Sequence, residues 1–90
     1  MEISKLFGKP KTYTIAGQEM TFRPLEMKEI DLVFMAGDKE KQAEGVKGLV
    51  TVTLKKSYSE LRDEDIEKIS LEHFEAITKA VMDINNMKEK

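Results

Sequence analysis

Two helix-start signals stand in immediate succession in the run from Leu61 to Phe74, and they constrain the fold more than any other part of the chain. Asp63 reads as an N-cap, with Glu64 and Asp65 placed to complement the positive end of the helix dipole, so a short helix is expected through Ile69. Ser70 then caps a second, longer helix. Ile69 just before that cap and Phe74 at the fourth helical position have the spacing of a hydrophobic staple, which sets the angle at which the chain enters the helix. Phe74, Ile77, Val81 and Ile84 continue as an apolar stripe at helical spacing. Asn85-Asn86 suits a C-terminal cap, and the chain from Met87 onward should fray. The expected result is a stiff two-helix corner packed against the helix that precedes it.

At the other end, residues 1–10 finish in Gly8-Lys9-Pro10 and read as a loose, flexible arm. Lys11–Ala16 alternates, with Tyr13 and Ile15 on one face and Thr12 and Thr14 on the other; Glu19–Arg23 alternates again and brings Met20 and Phe22 together. Gly17-Gln18 between them is a turn signal, so residues 11–23 read as a β-hairpin. A lone hairpin is marginally stable, so the face of Tyr13, Ile15, Met20 and Phe22 must pack on something.

Pro24 ends the second strand and suits the first turn of a helix, where its missing N–H costs nothing. That helix is expected from Leu25 to Ala36, stopped by Gly37. Met27, Ile30, Val33 and Phe34 form its expected core stripe, while Leu32 and Met35 fall on the other side. A helix with apolar residues on opposite faces is either sandwiched in the core or meets a partner. The charged stretch from Asp38 to Glu44 opens the next helix, where Val46, Leu49, Val50, Thr53, Leu54 and Ser57 follow helical spacing. That spacing outweighs the strand propensity of the β-branched run Val50–Thr53. Gly45 and Gly48 each cost a helix roughly 1 kcal/mol relative to Ala, so they mark either a late helix start or the close approach of another backbone. The fold class is α+β, mostly α: a small single domain with an N-terminal β-hairpin, about four helices over residues 24–87, and a frayed tail at 88–90.

Little in the chain carries chemistry. The absence of Cys excludes a disulfide framework and a thiolate zinc site, and it fits a reducing compartment. No signal-peptide core and no apolar run of about 18–20 residues is present, so a soluble protein that is not exported is expected. Net charge is −2, spread as alternating segments: basic to residue 24, acidic to 45, basic to 62, acidic thereafter. A nucleic-acid binder usually gathers its cations into one dominant patch, which this chain lacks. His73 stands alone. A calcium loop beginning at Asp63 would need Gly where Lys68 stands and Glu where Phe74 stands, so that reading fails twice. No base accompanies Ser57, Ser59 or Ser70, and no glycine pattern matches a phosphate loop. Catalytic, cofactor-binding and metal-ligating residues are therefore not expected, and the chain reads as a protein that holds another protein. Its one compositional oddity is six Met in 90 residues, a side chain suited to adaptable binding surfaces. Helical wheels place Met82 and Met87 at the margins of the last stripe. With Leu32 and Met35 they are the partner-binding candidates.

The order of elements resembles that of the small tail assembly chaperones of long-tailed bacteriophages. The resemblance rests on Tyr13-Thr14-Ile15, Phe22-Arg23-Pro24-Leu25, Gly48-Leu49-Val50 with Leu54 and Ser57-Tyr58, the acidic Asp63–Glu67 segment, and Ile69–Phe74 leading to Ala80–Asn85. Asn86 stands where Gly is commoner in that family. The resemblance implies a non-enzymatic helper in the cytoplasm of a bacterial host. It would bind the long helical tape measure protein during tail morphogenesis and deliver it to tail tube protein, and self-association would be compatible with that role. In many phages a frameshift yields a longer product. Neither nucleic acid nor membrane would be a partner. The alternatives are a self-associating structural component of the virion or tail, and a small DNA-binding regulator.

Overall fold

The alternating N-terminal segments pair as an antiparallel hairpin of β1 (Lys11–Ile15) and β2 (Gln18–Phe22), with Tyr13 opposite Met20 and Ile15 opposite Gln18. This is seen in the computed structural model, which describes residues 2–87. The turn lies one residue earlier than expected. Ala16 and Gly17 both take positive φ, 56° and 76°, which is the two-residue loop whose twist matches that of paired strands. Left-handed backbone at Ala16 costs roughly 1–2 kcal/mol. The resulting register brings the Thr12 and Thr21 hydroxyls to 2.9 Å. The apolar face is as read from the sequence: Phe22 is fully buried, Ile15 is buried, and Tyr13 and Met20 pack half-buried on the core. The Tyr13 and Phe22 rings stack at 5.9 Å.

Residues 3–6, expected only as part of an arm, form one turn of 3-10 helix (Ile3–Leu6). After β2 the chain departs from expectation. Pro24 does not begin a helix. The segment stays extended to Glu26, a 3-10 turn follows at Met27–Glu29, and α1 (Ile30–Gly37) comes only then. Two reciprocal contacts set this late start: the Glu26 N–H donates to Glu29 Oε1 (3.4 Å), and the Glu29 N–H donates to the Glu26 carbonyl (2.9 Å).

The faces of α1 are also reversed. Ala36 is buried and Leu32, Val33 and Met35 are half-buried, whereas Met27 and Phe34 are 85% and 67% exposed and Ile30 is exposed as well. The cause lies in α2 (Gln42–Ser57). A Cβ at Gly45 would sit 2.2 Å from the Ala36 backbone nitrogen, so the two helix backbones touch and only the side of α1 bearing Ala36 can face α2. Of the two readings of Gly45, the close approach is the one realised.

The α2 stripe is buried as expected through Leu49, Val50, Thr53 and Leu54. This helix is the hub of the fold, with α1, β2 and α4 all packed on it. The short α3 (Asp63–Glu67) begins at the expected cap residue itself, one residue early, because Arg62 takes the cap position and its N–H donates to Asp65 Oδ2 at 3.1 Å; it ends at Glu67, before the expected Ile69. In α4 (Leu71–Ile84), Ser70 Oγ accepts the His73 N–H at 3.4 Å, and Ile77, Ala80 and Val81 are buried. Ile69 and Phe74 both lie half-buried on the core, as the staple requires. Beyond the helix, Asn86 adopts the left-handed conformation with φ 54°. Its N–H reaches the Asp83 carbonyl (3.1 Å), and the Met87 N–H reaches that of Met82 (2.8 Å). These paired bonds are a Schellman cap. Met87 is thereby tied back against the core instead of fraying; the expected frayed tail, 88–90, lies outside the described residues.

Strand β1 is tied to α4 through Asp83, whose Oδ2 accepts from the Tyr13 hydroxyl (2.7 Å) and from Lys11 Nζ (3.1 Å). Burial, together with the hydrogen bond to the neighbouring Asp83 carboxylate and its charge, pushes the Tyr13 hydroxyl up to about 12. The same two donors hold Asp83 below the usual carboxylate range.

Gly45 and Gly48 separate two kinds of close approach. Gly45→Ala forces rigid backbone apart and should destabilise by about 2–3 kcal/mol, despite the intrinsic gain of about 1 kcal/mol for Ala in a helix. A Cβ at Gly48 meets only the end of the Leu32 side chain, at 2.7 Å. Gly48→Ala should therefore stay within about 1 kcal/mol of the parent. Urea unfolding of both variants measures the difference, and equal losses would contradict the backbone contact.

Candidate partner-binding surface

Among the described residues no cluster of His, Cys, Asp or Glu is placed to hold a metal, and no helix is long and apolar enough to cross a membrane. The feature that stands out is apolar surface left uncovered around the Pro24–Glu29 segment.

The four candidates from the sequence do not make up that surface. Leu32 lies half-buried between α1 and α2, where it covers Gly48 and packs on the core; Met35 is half-buried, and its backbone lies against Gly45. Met82 is half-buried on α4. Only Met87 reaches the exposed region, as one wall of a shallow depression of about 250 Å³ shared with Leu25, Met27, Ile30 and Val33. That depression runs into a larger groove of about 490 Å³. The larger groove lies between the arm, which supplies Ile3, Leu6 and Phe7, and the Arg23–Met27 segment. Leu25, Glu26 and Met27 belong to both, so one apolar surface runs from the arm to the outward side of α1, where Ile30 and Phe34 stand.

Sequence reasoning missed these residues because it assigned Met27, Ile30 and Phe34 to the core. Two signals were available. Glu26 and Glu29 have the three-residue spacing of a helix-entry pair, and two glycines three residues apart on α2 demand a small residue opposite. Ala36 is the small residue that meets the first of them.

Two polar side chains, Asn85 and Lys56, hold the inner wall. The Leu25 N–H donates to Asn85 Oδ1 at 2.7 Å, and Asn85 Nδ2 in turn donates to the Val81 carbonyl at 2.8 Å. Lys56 Nζ, near the end of α2, donates to Glu29 Oε1 (2.7 Å), Glu26 Oε1 (3.0 Å) and the Pro24 carbonyl (3.4 Å). Burial works to lower the Lys56 pKa, but the hydrogen bonds and charges of Glu29 and Glu26 outweigh it, and the ammonium is held above its ordinary value. Glu26 is held below the carboxylate range by hydrogen bonds from Lys56 and Lys28. Glu29 is buried to 7% exposure, and its Oε2 has no partner among the described residues. A buried carboxylate with one unsatisfied oxygen depends on its single cation. Lys56 thus ties the Pro24–Glu29 segment to the end of α2.

No protein-family model, no curated protein and no solved structure matches this chain. The class defined by fold and surface is a small α+β module that carries an uncovered apolar groove.

Lys56→Met leaves Glu29 buried without its cation and should destabilise by about 2–3 kcal/mol, below the range for fully buried pairs because Lys56 is partly exposed. Lys55→Met, whose partner Asp63 is exposed, should cost about 0.5 kcal/mol or less. Adding Glu29→Met to Lys56→Met should restore most of the loss in thermal unfolding. A double variant no more stable than Lys56→Met would contradict the role given to this pair.

Proposed function

We propose that this protein is a non-enzymatic assembly chaperone that covers the apolar face of a partner helix. The partner in this reading is the tape measure protein of a long-tailed bacteriophage, bound in the host cytoplasm before tail tube protein is recruited. One observation carries the reading. A 90-residue chain closes a well-buried core yet leaves Met27, Ile30 and Phe34 exposed at i, i+3 and i+7, beside a groove walled by Ile3, Leu6 and Phe7. Apolar side chains at that spacing form a strip along which another helix can lie. Contiguous uncovered apolar surface on a small protein marks an interaction site. The resemblance of element order to tail assembly chaperones supplies the identity of the partner.

The reading expects a tape measure gene beside this one, and co-expression with fragments of its product tests it. A mixed complex is expected, weakened about tenfold or more by Phe34→Asp, the loss typical of one apolar anchor. Leu71→Asp, at a still more exposed position on α4 that lines neither depression, should have no effect. A gene whose neighbours have no role in phage structure would remove the tape measure assignment. Sedimentation as a stable homo-oligomer that ignores every fragment would favour a self-associating tail component instead.

A further inference from the structure

Building on the helix-binding reading, we infer that the groove between the arm and the Arg23–Met27 segment selects an amphipathic helix with an acidic flank, and that the arm is its movable wall. The first ground is charge. Lys5, Lys9 and Arg23 are exposed and form no ion pair among the described residues. Arg23 lines the groove directly, and Lys5 and Lys9 flank the arm residues that wall it. The carboxylates of the opposite wall are already engaged: Glu26 with Lys28 and Lys56, and Glu29 with Lys56. Among the described residues Lys39, Lys41 and Lys68 are unpaired too, but Lys39 and Lys41 sit in a stretch that also holds Asp38, Glu40 and Glu44, and Lys68 follows the acidic Asp63–Glu67 segment. Against Lys5, Lys9 and Arg23 the arm sets one free carboxylate, Glu2 beside Ile3, so the rim of the groove carries a net positive charge on a chain whose net charge is −2. A partner with carboxylates beside its apolar face would answer that charge, and a basic one would be repelled.

The second ground is shape. A groove of about 490 Å³ lies within the range of roughly 300–1,000 Å³ seen for binding pockets. It opens at one end onto Met27 and Ile30, so it continues as a strip instead of closing round a compact ligand. Its outer wall is held at one tight point. A Cβ at Gly8 would lie 2.1 Å from Pro24 Cγ, so the arm crosses Pro24 with no room for a side chain. Beyond that crossing Ile3, Leu6 and Phe7 are 62–67% exposed. The arm is pinned at Gly8 and little covered beyond it, which lets it close on an occupant.

The test uses the full chain and two synthetic helical peptides of about five turns. Both carry the same Leu and Phe face, with Glu flanks in one and Lys flanks in the other. Fluorescence anisotropy should show the Glu peptide bound about tenfold more tightly at low salt, since exposed pairs are individually weak and three are needed for that ratio. The preference should shrink as salt rises from roughly 50 to 500 mM. Arg23→Glu combined with Lys9→Glu should abolish or invert it, and Gly8→Ala should weaken both peptides about tenfold while lowering the unfolding midpoint far less than Gly45→Ala, because the exposed arm can lift away from Pro24. Absence of binding, equal binding, or a preference that survives charge reversal would overturn the inference. A tape measure fragment bound equally by the parent and the charge-reversed variant would overturn this groove assignment alone. Selective peptide binding with no fragment bound would overturn the tape measure reading alone.

Discussion

The contact between the α2 backbone at Gly45 and the α1 backbone at Ala36 determines the arrangement of everything around it. A methyl group at Gly45 would lie 2.2 Å from Ala36 N, so the contact exists only because both helices present almost no side chain there. A helix turns about 100° per residue. With Ala36 facing α2, Leu32 and Val33 fall within about 60° of the contact, whereas Ile30 and Phe34 fall about 120° and 160° away. Those angles agree with the observed burial of the first pair and exposure of the second. A helix only eight residues long has little intrinsic stability, so packing alone decides its rotation.

The groove depends on the same scaffold. Gly45 near one end of α2 holds α1, and Lys56 near the other holds the segment that leads into it; the two lie about 16 Å apart along the helix. Asn85, beside the Schellman cap of α4, supplies the third support through the Leu25 N–H. The Pro24–Glu29 segment is thereby suspended between two helices by polar contacts, with Leu25 half-buried on the core and Met27 left to face outward. Local hydrogen bonding satisfied from behind with apolar surface in front is a workable design for a protein that must cover something else.

Much of this was legible in the sequence wherever the signal was periodic or local. The hairpin face, the α2 stripe and the Ser70 cap follow from alternation, from 3.6-residue spacing and from one side-chain oxygen. What failed needed tertiary information. In α1 nearly every residue is apolar, so periodicity could not choose a face, and the choice was made by a glycine on another helix. Pro24 is compatible with a first helical turn, but the Glu26–Glu29 pair and the pull of Lys56 keep it extended. The turn at Ala16-Gly17 required a non-glycine residue in the left-handed region, which a sequence reading avoids by default. The cap at Asn86 was expected in place but not in its effect, which is to return Met87 to the core. The partner-binding candidates Leu32 and Met35 lie opposite the expected core stripe; the reversed face carries Leu32 inward onto the core, while Met35, about 100° from the contact, stays half-buried.

The outward orientation of α1 is the claim on which the binding surface stands, and the absence of Cys from the chain makes it directly measurable. Single substitutions Phe34→Cys and Ala36→Cys place one thiol on each side of the helix. Phe34→Cys should react with a thiol reagent at nearly the rate of an unfolded control, while Ala36→Cys should react only through unfolding and be slowed by orders of magnitude. Protection of Phe34→Cys with rapid labelling of Ala36→Cys would contradict the account.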